Sequence, residues 1–545
     1  MLKTKTFLSS LLLATLAGDL FAQSNTIAGR DLGLLDTRTI QRYRRTGTFP
    51  NGVMGIGAWT TCCNPGTDRI PFIAAMNPNH GYIHYIVARE SQGRFVQISD
   101  RAYVKHTFGS NNNLSTCGTC LNSPGDVNYV EIGCSDTYAN SQSVDHFNLG
   151  PPDEVNPWLG TWVAACSYFD RGEPAGAAST LCDGVRSLTS TQSTALNTAI
   201  NHATRVYDAD LNVAGATFYW QAGYIIPGEA EALRTNNFGS RQFSAVWATT
   251  NWTFADVGAM VQGPILSRWS GATVTSNTNG ADDGRYYIGV KVTGPTNGKY
   301  HYEYAVHNRD NKRGMGAFHI PVCPDAQASG FGFKDVDTNP VNQWTAAKLG
   351  SEVVFTVSGT NALRWNSIYN FWFDCDAAPV GGPALLDQFD LGQGALTMSV
   401  NTTTPGGLYN QVLGAGCGVN APALFAVGSP NRATIGNATF GVTSRSNPAS
   451  VPCGFLISFA DGITSVGGCD VYTADTSSLL GPLMAFSDAS GIATLSLSIP
   501  NIVDFEGMHI DMQAINIATG GALLGNFNLS NGLRIRVGNL VTNCP

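Results

Sequence analysis

Residues 105–139 read KHTFGSNNNLSTCGTCLNSPGDVNYVEIGCSDTYA and hold three of the thirteen cysteines of the chain. The stretch has no helical period, and it is rich in Asn, Ser and Gly, which are typical of loops. We interpret it as a set of loops pinned by covalent bonds, at the centre of the more cysteine-dense half of the chain. The sequence therefore indicates how the protein is held together, although it names no activity.

The composition favours a folded, mostly β protein with many turns. The chain has 545 residues, enough for two or three domains, and only 13% of them are charged, while 61 are glycine. Disorder would require low hydrophobicity and a high net charge. The net charge of −8 argues against nucleic acid or an anionic membrane as the main partner.

The N-terminus has the pattern of a secretory signal peptide, which we assign to residues 1–22. Lys3 and Lys5 form a basic region, residues 7–18 are mostly apolar, and Ala22 is the expected last residue of the signal. The apolar run is too short to span a membrane, and no second long apolar stretch follows. The sequence predicts a secreted, extracellular product; a buried helix in a cytosolic protein is the alternative.

The cysteine positions fit an oxidising compartment, where most of them should form disulfides. They lie at 62, 63, 117, 120, 134, 166, 182, 323, 375, 417, 453, 469 and 544. The alternatives are zinc or a redox pair at Cys117-x-x-Cys120, but no second C-x-x-C follows and the flanks read as turns. Cys62 and Cys63 are adjacent, so each is expected to bond to a different partner.

The pattern predicts a cysteine-rich β region over 23–185 and a β-sandwich region over 186–378, with a single shared domain as the alternative. One helix is predicted within 187–208, clearest from residue 190, because apolar residues recur there at helical spacing. Those residues are Leu196, Ile200, Ala203 and Tyr207. Strands are predicted at 81–88, 94–98, 216–226, 244–249, 286–292, 300–307, 353–357 and 367–373.

Residues 379–386 read as a linker by composition, followed by a separate C-terminal β-sandwich over 387–545. Cys453 and Cys469 lie eight residues either side of Asp461, which with Gly462 makes a hairpin signal, so we predict a bond between them. Cys417 and Cys544 would then tie the start of this domain to its end. Nine cysteines remain upstream, and one of them would be free or bonded to another chain.

Four phrases in the chain are similar to one protein family. They are the runs at 299–314 (KYHYEYAVHNRDNKRG), 359–380 (GTNALRWNSIYNFWFDCDAAPV) and 526–538 (NFNLSNGLRIRVG), and the cysteine-rich segment that begins with VKHTF at 104–108. The chain resembles the large secreted multi-cysteine β proteins of planctomycete-type bacteria. The resemblance implies architecture and an extracellular address, with no activity attached. Similar sequences have a His where this chain has Lys334, and if that His has a role, its absence here puts any site at this position in doubt.

The familiar catalytic signatures H-E-x-x-H, G-x-S-x-G and G-x-x-x-x-G-K are missing from the sequence. His80 and His84 have a zinc spacing for a helix, but their segment alternates as a strand does, which would separate them by about 13 Å. A metal site would need one of them together with His106 or His146.

Asp335, Asp337 and Asn339 place three oxygen ligands at alternate positions, as calcium loops do. Pro340 and Ala346 then break the EF-hand pattern. The two carboxylates, about 7 Å apart on a strand, also fall in the range of an inverting glycosidase pair. A plain polar turn is the main interpretation, with calcium as the candidate cofactor.

Other acidic and aromatic residues allow binding roles. Asp153 and Glu154 lie in a Pro-rich loop that could offer a base or ligand, whereas Asp374 and Asp376 read as surface charges. Three aromatic groups could form a sugar-binding platform, although core packing also explains them. They are Tyr219 with Trp220, Tyr302 with Tyr304, and Tyr369, Phe371 and Phe373 on one face with Trp372 on the other.

Two function hypotheses remain. The first is a secreted, disulfide-stabilised structural, surface or ligand-binding protein, with a polysaccharide as the candidate ligand and self-association as a further option. The second is an extracellular enzyme with a metal or carboxylate site around four positions, His80, His106, Asp136 (within 134–136) and Glu154. An enzyme should show a deep cleft with converging polar groups, and a structural protein should show flat faces or exposed strand edges.

Overall fold

The structure is a computed structural model. It describes residues 26–110, 117–122, 126–172, 179–279, 284–297, 299–322, 326–337, 339–377, 379–392, 394–405, 410–428, 431, 433–460, 462–473, 479–505 and 508–537. The predicted signal peptide, Cys323, Asp461 and Cys544 lie outside these residues.

The first part of the chain builds two sheets. Its elements are β1 (Gly33–Thr46), β2 (Val53–Cys63), β3 (Ile70–Pro71), β4 (Tyr82–Ser91), β5 (Arg94–Gln97), β6 (Val104–His106), β7 (Tyr129–Val130), β8 (Ser135–Tyr138), β9 (Leu149–Gly150), α1 (Tyr168–Arg171), α2 (Ser190–Asn197), β10 (Thr204–Tyr207), α3 (Asp208–Leu211), β11 (Thr217–Ile225), β12 (Phe238–Ala248) and β13 (Asn251–Gln262). Sheet 1 has the order β1-β2-β10 with β8 on β2, and sheet 2 has the order β13-β12-β11-β4-β6-β9 with β5 on β4. β3 and β7 form a separate pair.

The middle part builds two more sheets. Its strands are β14 (Thr273–Thr278), β15 (Arg285–Thr296), β16 (Lys299–Asn308), β17 (Met315–Pro321), β18 (Ala328–Lys334), β19 (Thr345–Leu349), β20 (Glu352–Thr356), β21 (Ser367–Cys375), β22 (Pro379–Gln388) and β23 (Thr397–Pro405). Sheet 3 has the order β14-β15-β16-β21-β18, and sheet 4 has the order β19-β20-β17-β22-β23.

The last part forms a C-terminal β-sandwich. Its strands are β24 (Asn410–Leu413), β25 (Ala423–Val427), β26 (Gly441–Arg445), β27 (Pro452–Ser458), β28 (Thr464–Val466), β29 (Cys469–Val471), β30 (Leu479–Phe486), β31 (Ala493–Ser496), β32 (His509–Gly521) and β33 (Gly525–Arg536). Sheet 5 has the order β24-β33-β32-β27-β30, sheet 6 has the order β25-β26-β31, and β28 pairs with β29. Short 3-10 helices occur at Gln142–Val144, His146–Asn148, Pro152–Glu154, Glu231–Asn236, Ile265–Arg268 and Val503–Phe505.

Sheets 1 to 4 stack face to face, and a separate apolar core fills each gap. One core lies between sheets 1 and 2, a second between sheets 2 and 3, and a third between sheets 3 and 4. A fourth core lies between sheets 5 and 6 of the C-terminal sandwich. The prediction of a mostly β, multi-sandwich protein is confirmed. Among the described residues, no helix has the length and apolar character that crossing a membrane requires.

Strand β4 shows why this stacking follows from the sequence. Ile83, Tyr85 and Val87 pack into the core with sheet 1, whereas Ile86 and Ala88 pack into the core with sheet 3. A strand that is buried on both faces favours apolar side chains throughout, and every residue of the buried run YIHYIVA is aliphatic or aromatic except His84. The predicted strand at 81–88 is therefore confirmed, in the middle of the stack.

The helix predicted over 187–208 is only partly correct. The structure ends α2 at Asn197, and residues Thr204–Tyr207 form β10 instead. Strand β10 pairs with β2 and covers its edge, so tertiary pairing overrides a weak helical pattern that contains Thr and Asn. The helix begins with a capping box between Thr189 and Gln192.

The predicted linker at 379–386 is wrong. These residues form most of β22, an internal strand of sheet 4 between β17 and β23. Ala384 and Leu386 are fully buried in the core between sheets 3 and 4. Pro379, Gly381 and Gly382 make the segment resemble a linker, but they lie in its first half, where Pro379 and Gly381 are exposed and Gly382 is buried.

Disulfides hold the cysteine-rich loops in place, as the stretch at 105–139 predicts. Disulfides join Cys63 to Cys117, Cys120 to Cys134, and Cys166 to Cys182. The two cysteines of the C-x-x-C motif are each bonded elsewhere, so neither binds zinc. Cys62 and Cys63 are not bonded to each other, but Cys62 is a buried free thiol and lacks the partner that we expected.

In the C-terminal sandwich, the predicted pairs Cys453–Cys469 and Cys417–Cys544 are wrong, because Cys417 bonds to Cys469 and Cys453 is free. Cys453 points into the core between sheets 5 and 6, away from Cys469. The hairpin that carries Cys469 turns at Gly467 and Gly468, both with positive φ, rather than at Asp461–Gly462.

Candidate functional site

The predicted metal candidates His80 and His106 do meet, but in a sealed position. Their rings are hydrogen-bonded with Nε2 of His80 2.8 Å from Nδ1 of His106, and both residues are fully buried. Nδ1 of His80 is 2.6 Å from the carbonyl oxygen of Asn77. Burial lowers the pKa of His80 to about 4 and lowers that of His106 as well. Both imidazoles are therefore neutral at pH 7.

The one remaining ring nitrogen of the pair is Nε2 of His106, and an ion has no room beside it. A Cβ atom added at Gly150 would lie 2.6 Å from Nε2 of His106, so backbone closes that side. In the described part of the chain, no group of three or more His, Cys, Asp or Glu side chains could hold a metal ion. The pair is best explained as two core histidines.

Glu154 joins the same cluster through a tryptophan. Its carboxylate accepts hydrogen bonds from Nε1 of Trp162 at 3.2 Å and from the backbone amide of Tyr168 at 2.7 Å. The Trp162 ring contacts both histidine rings, with centroids 5.6 and 5.1 Å apart. Burial raises the pKa of Glu154. Glu154 therefore anchors its loop and the indole of Trp162. Among the described contacts, none joins it directly to either histidine ring.

Asp136 is the fourth position of the predicted site. It lies on β8, paired with Cys62 of β2, against the core between sheets 1 and 2. Burial first, and then the Asp136 charge, raise the pKa of the Cys62 thiol. A catalytic role for Asp136 stays a prediction.

The two other candidate histidines also have structural partners. His84 lies on β4, as predicted, and its Nδ1 is 2.7 Å from the side-chain oxygen of Asn366 in the β20–β21 connection. His146 contacts Asn197 and the carbonyl oxygen of Asn201. Each histidine therefore ties two distant segments together.

The D-x-D-x-N segment forms a run of turns. Asp335, Asp337 and Asn339 each accept a hydrogen bond from the backbone amide two residues later, at 3.1, 2.7 and 3.1 Å. The second oxygens of Asp335 and Asp337 accept bonds from Asn361 and Asn342. These contacts match the turn interpretation. Calcium binding here stays a prediction.

The predicted aromatic platform is mostly core. Tyr219, Trp220, Tyr302, Tyr304, Tyr369, Phe371 and Phe373 are all buried. The alternation predicted for β21 is confirmed, because Tyr369, Phe371 and Phe373 enter the core with sheet 4 whereas Trp372 does not. Trp372 alone is half-buried on the opposite face, and it leads to a site that sequence reasoning missed.

That site is a cleft of about 310 Å³ between sheets 2 and 3, which we call the junction cleft. Its lining comes from the β4–β5 hairpin and from β15, β16 and β18. The hairpin turns tightly at Gln92 and Gly93, both with positive φ. The lining residues are Arg89, Ser91, Gln92, Gly93, Arg94, Val96, Lys291, Thr293, His301, Glu303 and Lys334.

Strand register places the polar side chains of the junction cleft in rows. Glu303 of β16 lies opposite Lys291 of β15 and Trp372 of β21. His301, two residues earlier on the same face, lies opposite Asp374. Ala305 continues this face into the core between sheets 2 and 3, so the cleft opens where that apolar contact ends.

Arg94 is the most constrained cation of the junction cleft. Its guanidinium lies 3.6 Å from the ring centroid of Trp372 and donates a 2.7 Å hydrogen bond to Oε2 of Glu303. A charged hydrogen bond and a cation–π contact together hold the group in one orientation. Arg89 is held similarly by Asp210, at 3.1 Å.

His301 adds to the positive charge. Its Nε2 is 3.4 Å from Glu303 and its Nδ1 is 2.7 Å from Asp374. The hydrogen bond to Glu303, assisted by Asp374, raises the pKa of this imidazole. Four arginine and lysine side chains and His301 thus surround a single lining carboxylate, in a chain whose net charge is −8.

Two polar atoms of the junction cleft have no hydrogen-bond partner among the described residues: Oε1 of Glu303 and Nε of Arg94. Glu303 is only 4% exposed, so this oxygen cannot be satisfied by bulk water in the usual way. Both atoms therefore lie beneath the surface of the cleft, out of contact with solvent. The alternation in KYHYEYAVHN could have placed His301 and Glu303 on one face, but not the arginines beside them.

No protein-family model and no curated protein matches the chain. Among solved structures, the major pilin subunit of Bacillus cereus aligns over 58% of this chain and 77% of its own length, at 14% identity and a TM-score of 0.17. An Escherichia coli alpha-2-macroglobulin activated by porcine elastase aligns over 94% of this chain and 35% of its own, at 7% identity and a TM-score of 0.15. Scores this low carry no argument, so the site is interpreted from its own geometry.

Proposed function

We propose that the protein is a secreted, non-catalytic binding protein whose junction cleft holds an acidic glycan. The observation that carries the proposal is the convergence of Arg89, Arg94, Lys291 and Lys334 on a 310 Å³ cleft in an otherwise acidic chain. A cleft of this size accommodates one or two sugar rings. The disulfides and the predicted signal peptide fit an extracellular role.

A sugar acid matches both kinds of polar group in the cleft. Its carboxylate would meet Lys291, Lys334 and Arg89, which are lysine and arginine groups suited to anions. Its hydroxyl groups would bond to the polar side chains of the hairpin, Ser91 and Gln92. This second requirement favours an acidic glycan over phosphate or a small carboxylic acid.

The charges favour binding over catalysis. Contacts with Glu303 and Asp374 raise the pKa of His301, which favours its charged form over the neutral form that a general base requires. Glu303 is held in an ion pair with Arg94. The His80–His106 pair is buried away from any ligand. We therefore propose no catalytic role for His301, for Glu303 or for the His80–His106 pair.

The experiment is a calorimetric titration of the mature protein with a uronic-acid oligosaccharide and with a neutral oligosaccharide of equal length. We expect binding of the acidic glycan only, weakened by about tenfold or more in a Lys291→Ala/Lys334→Ala double variant, because each lost ionic contact is worth about 0.5–1 kcal/mol. Lys348→Ala is the control, since this exposed lysine lies on β19, away from the cleft. Equal binding of the neutral glycan, or an unaffected double variant, would refute the proposal.

Salt and pH give a second test of the same cleft. Added salt should weaken binding, because part of the attraction is screened at an exposed site. Binding should also weaken as the pH rises through the raised pKa of His301, because the imidazole then loses its positive charge. His301→Gln should remove that pH dependence without removing the salt dependence.

A further inference from the structure

Lys105 on β6 is a completely buried lysine. Its side chain is 0% exposed, and its Nζ donates a 2.9 Å hydrogen bond to Oδ2 of Asp145. The same Nζ lies 4.8 Å from the ring centroid of Phe108. Lysine is almost never fully buried in proteins, so this position calls for a reason beyond packing.

A carboxamide shares the same oxygen. Nδ2 of Asn148 donates a 2.9 Å hydrogen bond to Oδ2 of Asp145, the atom that accepts from Lys105. Oδ1 of Asp145 accepts from the backbone amide of Phe147 at 3.1 Å, which holds the carboxylate in place. The amine of Lys105 and the amide group of Asn148 therefore meet on one carboxylate.

The backbone keeps these groups together. Strand β6 pairs with β9, with Lys105 opposite Leu149, the residue that follows Asn148. The 3-10 helix His146–Asn148 leads directly into β9. The approach of the lysine to the amide is thus set by sheet 2 and not by a free loop.

The surroundings favour a reactive amine. Burial lowers the pKa of Lys105, and Arg186 acts in the same direction, while Asp145 opposes both. A desolvated lysine that can pass its proton to a neighbouring carboxylate is a nucleophile. Asp145 itself is kept ionised, because Lys105 and Asn148 outweigh the effect of burial and lower its pKa.

We propose that Lys105 and Asn148 become joined by an intramolecular amide bond, with Asp145 as the proton carrier. Nζ of Lys105 forms a bond to Cγ of Asn148, and the bond from Cγ to Nδ2 breaks. Two of the three protons of the lysine ammonium pass through Asp145 to the departing nitrogen, which leaves as ammonium. No oxidant or other reactant is needed, and Asp145 ends as it began.

The structure also provides an exit for the leaving group. Asp145 lines a cavity of about 410 Å³ together with Tyr43, His146 and Asn197, and its side chain is 28% exposed. Lys105 on the other side of the carboxylate is sealed from water. Ammonium can therefore leave past Asp145, while the Lys105 side of the new amide stays buried, which disfavours hydrolysis.

The test is mass spectrometry of the intact, reduced and denatured mature protein. We expect a mass lower than that of the sequence by one ammonia molecule. Peptide mapping should yield a branched peptide that contains residues 105 and 148. Mapping is required because an N-terminal Gln23, the residue expected after signal removal, also releases ammonia when it cyclises.

Variants locate each role in the reaction. Lys105→Arg keeps the positive charge but removes the amine nucleophile, and Asp145→Asn removes the proton carrier, so both should abolish the branched peptide. Lys348→Arg, at an exposed lysine, should leave it intact. Separate, unmodified peptides for residues 105 and 148 in the wild-type protein would overturn the proposal and leave a buried ion pair only.

Discussion

At the scale of single residues, the junction cleft depends on a glycine that makes room for a tryptophan. Gly332 on β18 lies opposite Trp372 on β21. A Cβ atom at Gly332 would lie 2.1 Å from Cε2 of the indole, so only glycine lets the ring lie flat across both strands. The same ring carries the Arg94 guanidinium, 3.6 Å from the ring centroid. The position of the Arg94 guanidinium therefore depends on the absence of a methyl group at Gly332 of β18.

This arrangement predicts that Gly332→Ala lowers both stability and glycan affinity. The indole must move, at a cost of about 1–3 kcal/mol, as is typical of overpacking, and Arg94 loses its support. Urea unfolding and calorimetric titration measure the two effects. Gly381→Ala is the matched control in a strand, because a Cβ atom there meets nothing within 4 Å. An unchanged affinity in Gly332→Ala would separate Trp372 from the site.

At the scale of elements, the β28–β29 hairpin decides the disulfide pairing of the C-terminal sandwich. Gly467 and Gly468 adopt φ values of 58° and 84°, as a two-residue hairpin turn requires. This turn puts Cys469 against Leu523 and Leu529. The backbone of Cys417 forms a bridge to Leu529, which brings the two sulfurs together. The chain offered two hairpin signals, Asp461–Gly462 and Gly467–Gly468, and only the second is used at Cys469.

We predict that Cys417 and Cys469 resist alkylation in denaturant without reductant, whereas Cys453 is labelled. Peptide mapping checks this directly. The bond spans 52 residues, so Cys417→Ser should lower the free energy of unfolding by about 4 kcal/mol in the chain-entropy account. Cys453→Ser is the control, since it removes no bond. A linked peptide that contains Cys453 would restore the pairing expected from the sequence.

At the scale of the whole molecule, a cluster of charged side chains around His319 joins the stacked sheets to the C-terminal sandwich. His319 on β17 lies between Glu352, with Nδ1 3.0 Å away, and Asp387, with Nε2 2.9 Å away. Arg445 of sheet 6 reaches the same Glu352 at 2.6 Å. Burial alone would lower the pKa of His319, but its bonds to Asp387 and Glu352 raise it to about 9.

The raised pKa of His319 predicts how the stability of the protein changes at alkaline pH. Because the folded-state pKa of about 9 exceeds the ordinary 6.5, the stabilisation is complete below pH 6.5 and is lost as the pH rises through 9. It is worth about 3 kcal/mol. His319→Gln should therefore lower the free energy of unfolding at pH 6 and have little effect at pH 10, measured by urea titration. Equal losses at both pH values would show that His319 acts by packing alone.

What the sequence by itself determined is local. Alternation along β21 sorted Phe371 and Phe373 from Trp372, and the continuous apolar run of β4 marked a strand, because a strand has a period of two at any place in a fold. The cysteine-rich stretch at 105–139 correctly indicated loops that disulfides hold in place. The segments at 204–207 and 379–386 were misjudged because a neighbouring strand, β2 or β17, supplied the pairing that their own residues do not encode.

Only the tertiary structure decided the sites. The cations of the junction cleft come from β4, β5, β15 and β18, which lie up to 245 residues apart in sequence (Arg89 to Lys334) and meet because sheets 2 and 3 stack. Lys105, Asp145 and Asn148 likewise meet through the pairing of β6 with β9. The charge and burial of the side chains at these two sites depend on how strands and sheets pack. That packing joins segments far apart in sequence, so no local periodicity of the sequence reveals it.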